Sequence, residues 1–195
     1  KLIIPIPQAL RLTGQEIVVK IIYSRDITKH LGFYFYPKGT ADVFDTSIHI
    51  PETIAYTMSE PTDAHHWMPC MDLPYDKATS EISIVVPNGT ETASNGDLVS
   101  KTSYDANSTI WQWKNDVPIA TYLMVADASN YIHWSEMHHS SPADSVKLDY
   151  YAWPDDYYQD SVTDWPAFNA THAFRNTSQT MTWLEARFGR FPFSK

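Results

Sequence analysis

The sequence has little of several features that would point to a particular class of protein. Its 195 residues include a single cysteine, Cys70, so no disulfide can form within the chain. No run of about 18 apolar residues occurs, and we therefore expect no transmembrane segment. Lysine and arginine number 14 against 23 acidic residues, a formal net charge of −9. Because phosphate contacts need clustered basic side chains, this balance argues against a nucleic-acid partner.

The composition that remains is typical of a globular protein rich in β-structure. Hydrophobic residues make up 43% and charged residues 19% of the chain, which is outside the range of disordered proteins. The aromatic residues number 7 Trp, 12 Tyr and 8 Phe, and large rings suit the faces of sheets. The length allows one well-buried domain, or one domain and part of another.

Short apolar runs separated by Pro, Gly, Asn and Asp continue from the start of the chain to about residue 152. Alternation within these runs predicts strands, at 17–23, 32–36, 53–57, 81–86, 109–113, 122–126, 131–135 and 146–152. The run 17–23 is apolar on both faces, so we expect a mostly buried strand there. Asn95-Gly96 predicts a tight turn, because both residues tolerate positive φ. Roughly nine or ten strands at this spacing predict an antiparallel β-sandwich or curved sheets.

The pattern changes after about residue 154. Phe174, Met181, Leu184 and Phe188 fall on one helical stripe that Gly189 ends, which predicts a helix over about 171–188. Such a helix either caps the sandwich or opens a second domain.

The most specific motif of the chain lies between residues 57 and 79. In order, the segment contains Thr57-Met58-Ser59-Glu60, Ala64-His65, Pro69-Cys70-Met71-Asp72-Leu73-Pro74 and Lys77-Ala78-Thr79. It resembles the N-terminal domain of the gluzincin zinc aminopeptidases, the family of membrane alanyl aminopeptidase and leukotriene hydrolase. Further similarities follow in the family's order at Ser94-Asn95-Gly96, Trp111-x-Trp113, 118–123 and 188–195, so the resemblance spans about 15 to 195.

The resemblance implies a particular division of the chain. Residues 1–153 would form a saddle-like, mainly β sandwich domain whose first strands are missing. Residues 154–195 would form a linker and the opening helix of a truncated metallopeptidase catalytic domain. The strand-like start and the stop at Lys195 agree with this expectation of a piece cut from a longer protein.

The resemblance also implies that the full-length protein is a zinc aminopeptidase, which removes N-terminal residues from peptides. Its partners would be peptides with a free N-terminus and the missing catalytic domain. The family's His-Glu-x-x-His and Gly-x-Met-Glu-Asn motifs do not occur here, so we expect no catalytic residue, no metal ligand and no activity in this chain. The adjacent pairs His65-His66 and His138-His139 are not expected to chelate zinc, because neighbouring residues on a strand point to opposite faces.

Two residues are expected to bind substrate. Glu60 aligns with an acid that, in the family, binds the free α-amine of the substrate, and the alternative is a solvated residue at a strand end. Met58 stands where the family usually has Gln, lining the pocket for the first side chain. Methionine adapts to apolar shapes, so we expect a tolerant pocket, with ordinary packing as the alternative. His65 replaces a common Arg, so a structural contact there would be lost or would depend on pH.

The other residues of the motifs are expected to be structural. Cys70 is interpreted as a buried packing thiol and Asp72 as a turn cap. Trp67, Trp111 and Trp113 are interpreted as core aromatics rather than a carbohydrate-stacking platform.

Two other functions stay open: a scaffold derived from a catalytically inactive relative, and a free-standing β-sandwich binding module. The compartment of the full-length protein is also open, with secreted, periplasmic and membrane-attached forms all compatible.

Overall fold

The computed structural model describes residues 3–11, 14, 16–26, 28, 30–41, 45–158 and 169–195. Within this part the chain forms nine strands: β1 Gly32–Tyr36, β2 Ile54–Met58, β3 Lys77–Pro87, β4 Glu91–Ser94, β5 Asp97–Ser103, β6 Ser108–Ala120, β7 Ala126–Ser129, β8 Ile132–Ser141 and β9 Asp144–Ala152. Three α-helices follow: α1 Pro154–Tyr158, α2 Ala170–Phe174 and α3 Thr177–Phe188. None of the described helices is long and apolar enough to cross a membrane.

The strands form antiparallel sheets, as the sequence predicts. A four-stranded sheet has the order β1-β2-β7-β4, and a three-stranded sheet has the order β3-β6-β5. Strands β8 and β9 form a separate hairpin. The mainly β architecture is confirmed; the division into domains at residue 153 stays a prediction.

The core lies between the four-stranded and three-stranded sheets. On β6 every second side chain is buried, so Trp111 and Trp113 face inward with exposures of 3% and 4%. They cluster with Val86 on β3 and Ala128 on β7. The indole N–H of Trp113 donates to the Thr92 hydroxyl on β4 over 3.0 Å, which satisfies a buried donor while joining the two sheets.

At Asn95-Gly96 the chain bends sharply from β4 of one sheet to β5 of the other, and of the two residues only Gly96 has positive φ. Gly96 has φ +73°, and a Cβ there would stand 2.0 Å from the carbonyl oxygen of Lys114. The Asn95 amide donates to the Leu123 carbonyl over 3.0 Å and accepts from the Val125 N–H over 2.6 Å.

The prediction of a strand at 122–126 is wrong for most of that segment, because the side chain of Asn95 forms hydrogen bonds with its backbone groups. Thr121–Leu123 forms a short 3-10 helix, and β7 begins only at Ala126. A side chain that bonds the backbone on both sides of Met124 replaces the partner strand that an alternating pattern would otherwise need.

The prediction of a mostly buried strand at 17–23 is also wrong in this structure. The segment belongs to no sheet, and the side chains of Val18 and Ile22 are 88% and 87% exposed. Alternation indicates a chain segment suited to a sheet, but a strand also needs a neighbour that supplies hydrogen bonds. No described strand pairs with this segment.

The helix predicted at 171–188 is present but broken into α2 and α3. Helix α2 ends at Phe174, whose carbonyl accepts a hydrogen bond from the Thr177 hydroxyl over 2.7 Å. Asn176 then starts α3 as its N-cap residue, and Gly189 ends it with φ +86°. The apolar stripe is largely solvent-exposed, since Phe174 and Phe188 are 45% and 80% exposed.

Helix α3 contacts the hairpin through a buried polar network. His138 on β8 is 2% exposed, and its Nε2 lies 3.0 Å from Oε2 of Glu185 on α3. The same carboxylate accepts from Ser140 and from the Phe191 N–H. Hydrogen bonding, first of all from His138, lowers the pKa of Glu185 to about 2. The next residue, His139, is exposed, as strand alternation requires.

Candidate functional site

Met58 and Glu60, the two predicted substrate-binding residues, lie where β2 ends and a tight turn begins. Met58 is the last residue of β2 and is 57% exposed. Ser59 is buried at 3% exposure, and Glu60 is exposed again. The alternation therefore presents Met58 and Glu60 to solvent on either side of an inward-facing serine. The structure thus brings the two side chains together on one short segment.

Ser59 stabilises the turn by accepting two hydrogen bonds. The indole N–H of Trp67 donates to the Ser59 hydroxyl over 2.9 Å, and the Asp63 N–H donates to the Ser59 carbonyl over 2.8 Å. Ala64, which follows, is fully buried. Glu60 and Pro61, joined by a cis peptide bond, thus lie at the apex of a turn whose two stems are fixed.

Strand β1 supports the same turn through Gly32. Gly32 pairs with Met58 in the sheet and has φ +74°. A Cβ at this position would stand 2.1 Å from the Asp63 carbonyl oxygen, so the turn packs directly on the glycine backbone. Only a residue without a side chain permits this approach.

Asp72 fixes the C-terminal side of the turn through its contact with His65. Its Oδ2 lies 2.8 Å from Nδ1 of His65 and accepts from the His65 backbone N–H over 3.2 Å. Burial acts to raise the pKa of Asp72, but the hydrogen bonds from His65 outweigh it and leave the pKa below its ordinary value. The contact at His65 is therefore kept rather than lost, its dependence on pH stays a prediction, and Asp72 holds a turn.

His65 and His66 lie in a short 3-10 helix rather than on a strand, so the argument from strand alternation does not apply to them. Their rings are 4.2 Å apart, and His66 lies 3.8 Å from an Asp63 oxygen. Among the residues that the structure describes, no three His, Cys, Asp or Glu side chains come together in a way that could hold a metal.

A face of half-buried tyrosines continues from Met58 across the four-stranded sheet. Tyr34 on β1 stacks on Tyr56 on β2 with ring centroids 5.1 Å apart, and Tyr36 lies 6.3 Å from Tyr56. Asp127 on β7 pairs with Tyr56 in the sheet. Burial raises the pKa of Asp127 to about 6, and the Tyr131 hydroxyl donates to its carboxylate over 3.0 Å. Sequence reasoning missed this face, although the alternating tyrosines of β1 and β2 signal it.

A second feature that the sequence did not reveal is a serine, histidine and glutamate in a chain of hydrogen bonds. Nδ1 of His138 lies 3.0 Å from the Ser178 hydroxyl, and its Nε2 lies 3.0 Å from Glu185. These residue types occur in hydrolase triads. The ring is 2% exposed and both its nitrogens serve the contact between β8 and α3, so we assign the group a structural role.

A well-formed cavity of the described residues lies away from the predicted substrate-binding pair. A cavity of about 490 Å³ lies between β4, β9 and the C-terminal segment, with Leu123, Tyr150 and Phe193 among its lining residues. Neither Met58 nor Glu60 lines it. Met58 and Glu60 are solvent-exposed instead.

The remaining motif residues have structural surroundings. Trp111 and Trp113 are core residues, as predicted, and Trp67 is half-buried beneath the Glu60 turn. Cys70 is half-buried with a free thiol whose pKa is raised, chiefly by burial. A thiol with a raised pKa is a poor nucleophile, which agrees with a packing role.

Comparison with solved structures defines the class of fold. An M1 zinc metallopeptidase variant of Deinococcus radiodurans superposes with a TM-score of 0.60 at 19% identity, covering 74% of this chain and 31% of that one. A form of that enzyme bound to a Tyr-Ser-Ala substrate gives 0.58 at 20% identity, over 72% and 30%. The fold is therefore that of the β-rich part of M1 metallopeptidases.

The chain belongs to the Peptidase M1 N-terminal domain family, whose model matches residues 1–123. Glutamyl aminopeptidase of Sus scrofa is 40% identical over 73 residues, 37% of this chain and 8% of that protein. Aminopeptidase N of Haemonchus contortus is 33% identical over 87 residues, 42% of this chain and 8% of that protein. The matched segments thus span under a tenth of these curated relatives.

Proposed function

We propose that this chain is the non-catalytic N-terminal part of a zinc aminopeptidase, and that Glu60 binds the free α-amine of the peptide substrate. The observation that carries the proposal is the fixed turn at residues 59–67, which presents Glu60 and Met58 on one surface. Membership of the M1 family and the aminopeptidase names of the relatives support the activity of the full-length protein. Zinc would be held by residues outside this chain.

Glu60 needs a second protein surface opposite it before it can bind an ammonium group well. In bulk water two unit charges 4 Å apart interact by only about 1 kcal/mol, whereas near a protein surface with an effective dielectric of 20 the figure is about 4 kcal/mol. The carboxylate of Glu60 is exposed in the described chain. A catalytic domain packed opposite the turn would exclude water and strengthen the attraction. Such an arrangement selects substrates with a free N-terminus.

The proposal predicts a difference between this chain and the full-length protein. The purified 195-residue chain should hydrolyse no aminoacyl anilide and bind no stoichiometric zinc, because it lacks the metal-binding motif. The full-length protein should hydrolyse the anilide and lose activity with a chelator. Chelator-sensitive hydrolysis by the short chain would refute the proposal. A full-length protein without zinc or hydrolysis would instead establish the scaffold alternative.

We further propose that Met58 lines the pocket for the first side chain of the substrate. Changing Met58 to Gln in the full-length protein should shift relative kcat/KM values between apolar and polar aminoacyl anilides by about threefold or more, because a polar group replaces an adaptable apolar one. Met137, 49% exposed on β8, gives a matched control whose change to Gln should leave the ratios unchanged. Identical ratios in both variants would reject this role.

A further inference from the structure

We propose that His65 is a positioning residue for Glu60, and that its contact with Asp72 makes binding of the substrate amine depend on pH. The inference deepens the proposed function and rests on it. It adds a residue that does not touch substrate but fixes the turn on which Glu60 stands.

Two donors of His65 converge on one carboxylate oxygen. The ring nitrogen Nδ1 lies 2.8 Å from Asp72 Oδ2, and the backbone N–H donates to the same oxygen over 3.2 Å. The Asp72 side chain is 8% exposed, whereas that of His65 is 49% exposed. The other oxygen of Asp72 lies 3.4 Å from the Thr121 hydroxyl at the end of β6. Asp72 therefore ties the turn to the body of the sandwich.

The contact reaches Glu60 through a short and rigid path. His65 follows Ala64, which is fully buried, and Asp63 closes the turn by donating to the Ser59 carbonyl over 2.8 Å. Glu60 lies between these two fixed points. A shift of the His65 stem therefore moves the apex of the turn, and binding by a charged group is sensitive to small displacements.

The charged neighbours of this contact are few in the described structure. The His66 ring is tilted against that of His65 with centroids 4.2 Å apart, and its Nε2 lies 3.8 Å from an oxygen of Asp63. The guanidinium of Arg25 donates to the His66 carbonyl over 2.5 Å. The Cys70 thiol lies near Asp72 and Asp76, whose negative charges act with burial to raise its pKa. The nearest anion to the His65 ring is Asp72, so protonation of the ring strengthens this particular bond.

Histidine changes its charge between about pH 5 and pH 8. A protonated ring makes a charge-assisted bond to Asp72 that is about twice as strong as the bond from a neutral ring. The turn is therefore held most firmly on the acidic side of this range and loosens as the pH rises. Arginine keeps its charge throughout, so a His65→Arg variant would hold the turn at all these pH values.

The test compares KM for an aminoacyl anilide in full-length protein carrying His65, His65→Arg or His65→Gln. From pH 5.5 to 8.5 the KM ratio of the unchanged protein to the Arg variant should rise by about 3- to 10-fold. The ratio of kcat values should stay constant, and the Gln variant should show a raised KM at both pH 5.5 and pH 8.5. Deprotonation of the substrate amine affects all forms equally and cancels in the ratio. His66→Gln is the matched control and should leave the pH dependence in place.

A KM ratio that is flat with pH overturns the inference. Hydrogen exchange of the Asp63 amide, which the turn protects, separates this failure from failure of the proposed function. Protection of this amide is taken relative to its intrinsic exchange rate at each pH. Protection that falls as the pH rises in the unchanged protein but not in the Arg variant, together with a flat KM ratio, shows a pH-dependent turn and overturns the role of Glu60. Protection that stays constant with pH, in a protein whose KM still depends on Glu60, overturns the role of His65 alone.

Discussion

In the full-length protein, changing Glu60 to Ala is expected to lower kcat/KM for an aminoacyl anilide by about a hundredfold or more. A carboxylate and an ammonium about 4 Å apart near a protein surface attract by roughly 4 kcal/mol, and each 1.4 kcal/mol corresponds to a factor of ten. Since the ammonium is present in both the bound substrate and the transition state, most of the loss should appear in KM. Steady-state kinetics with saturating zinc would measure both parameters.

Two comparisons make the Glu60 experiment specific. Glu60→Gln keeps the shape of the side chain and should lose nearly as much, because the charge is what binds. Glu81→Ala removes an exposed carboxylate on β3, opposite Lys114, and should change the kinetics little. An N-acetylated substrate, which has no ammonium, should be affected equally little by all three changes. If Glu60→Ala retains full activity toward free-amine substrates, the proposed site is wrong.

Local features of the fold could be predicted from sequence because their causes are local. The alternation in β6 places Trp111 and Trp113 inward, and the bend at Asn95-Gly96 uses the tolerance of Gly96 for positive φ. Gly189 likewise ends α3 where the sequence predicts. Each of these needs only neighbouring residues to be decided.

Features that depend on residues distant in the chain could not be predicted from the sequence. The segment around Met124 departs from a strand because Asn95, about 30 residues earlier in the chain, bonds its backbone. The segment 17–23 has the pattern of a strand but no described partner. At the site, the motif indicated Glu60, and the replacement at His65 predicted a contact that is lost or depends on pH. The folded chain was needed to show that His65 keeps a contact and that its partner is Asp72.

Gly32→Ala is expected to disturb the site from the strand beneath it. The added Cβ would stand 2.1 Å from the Asp63 carbonyl oxygen, which is backbone and cannot move without moving the turn. The left-handed conformation costs about 1–2 kcal/mol for a non-glycine residue, and overpacking adds about 1–3 kcal/mol. Urea unfolding of the 195-residue chain should therefore show a loss of about 2–5 kcal/mol, and KM of the full-length protein should rise by about tenfold.

Gly39→Ala separates the conformational cost of the Gly32→Ala change from its overpacking cost. Gly39 has φ +82°, and no atom lies within 4 Å of an added Cβ. The variant should lose only the conformational part, about 1–2 kcal/mol, and should leave KM unchanged. Equal stability losses for the two variants would mean that the turn does not press on Gly32. A Gly32→Ala protein that is destabilised but keeps its KM would show that the turn can be displaced without loss of substrate binding. The rigidity of the turn beneath Glu60 would then not matter for binding.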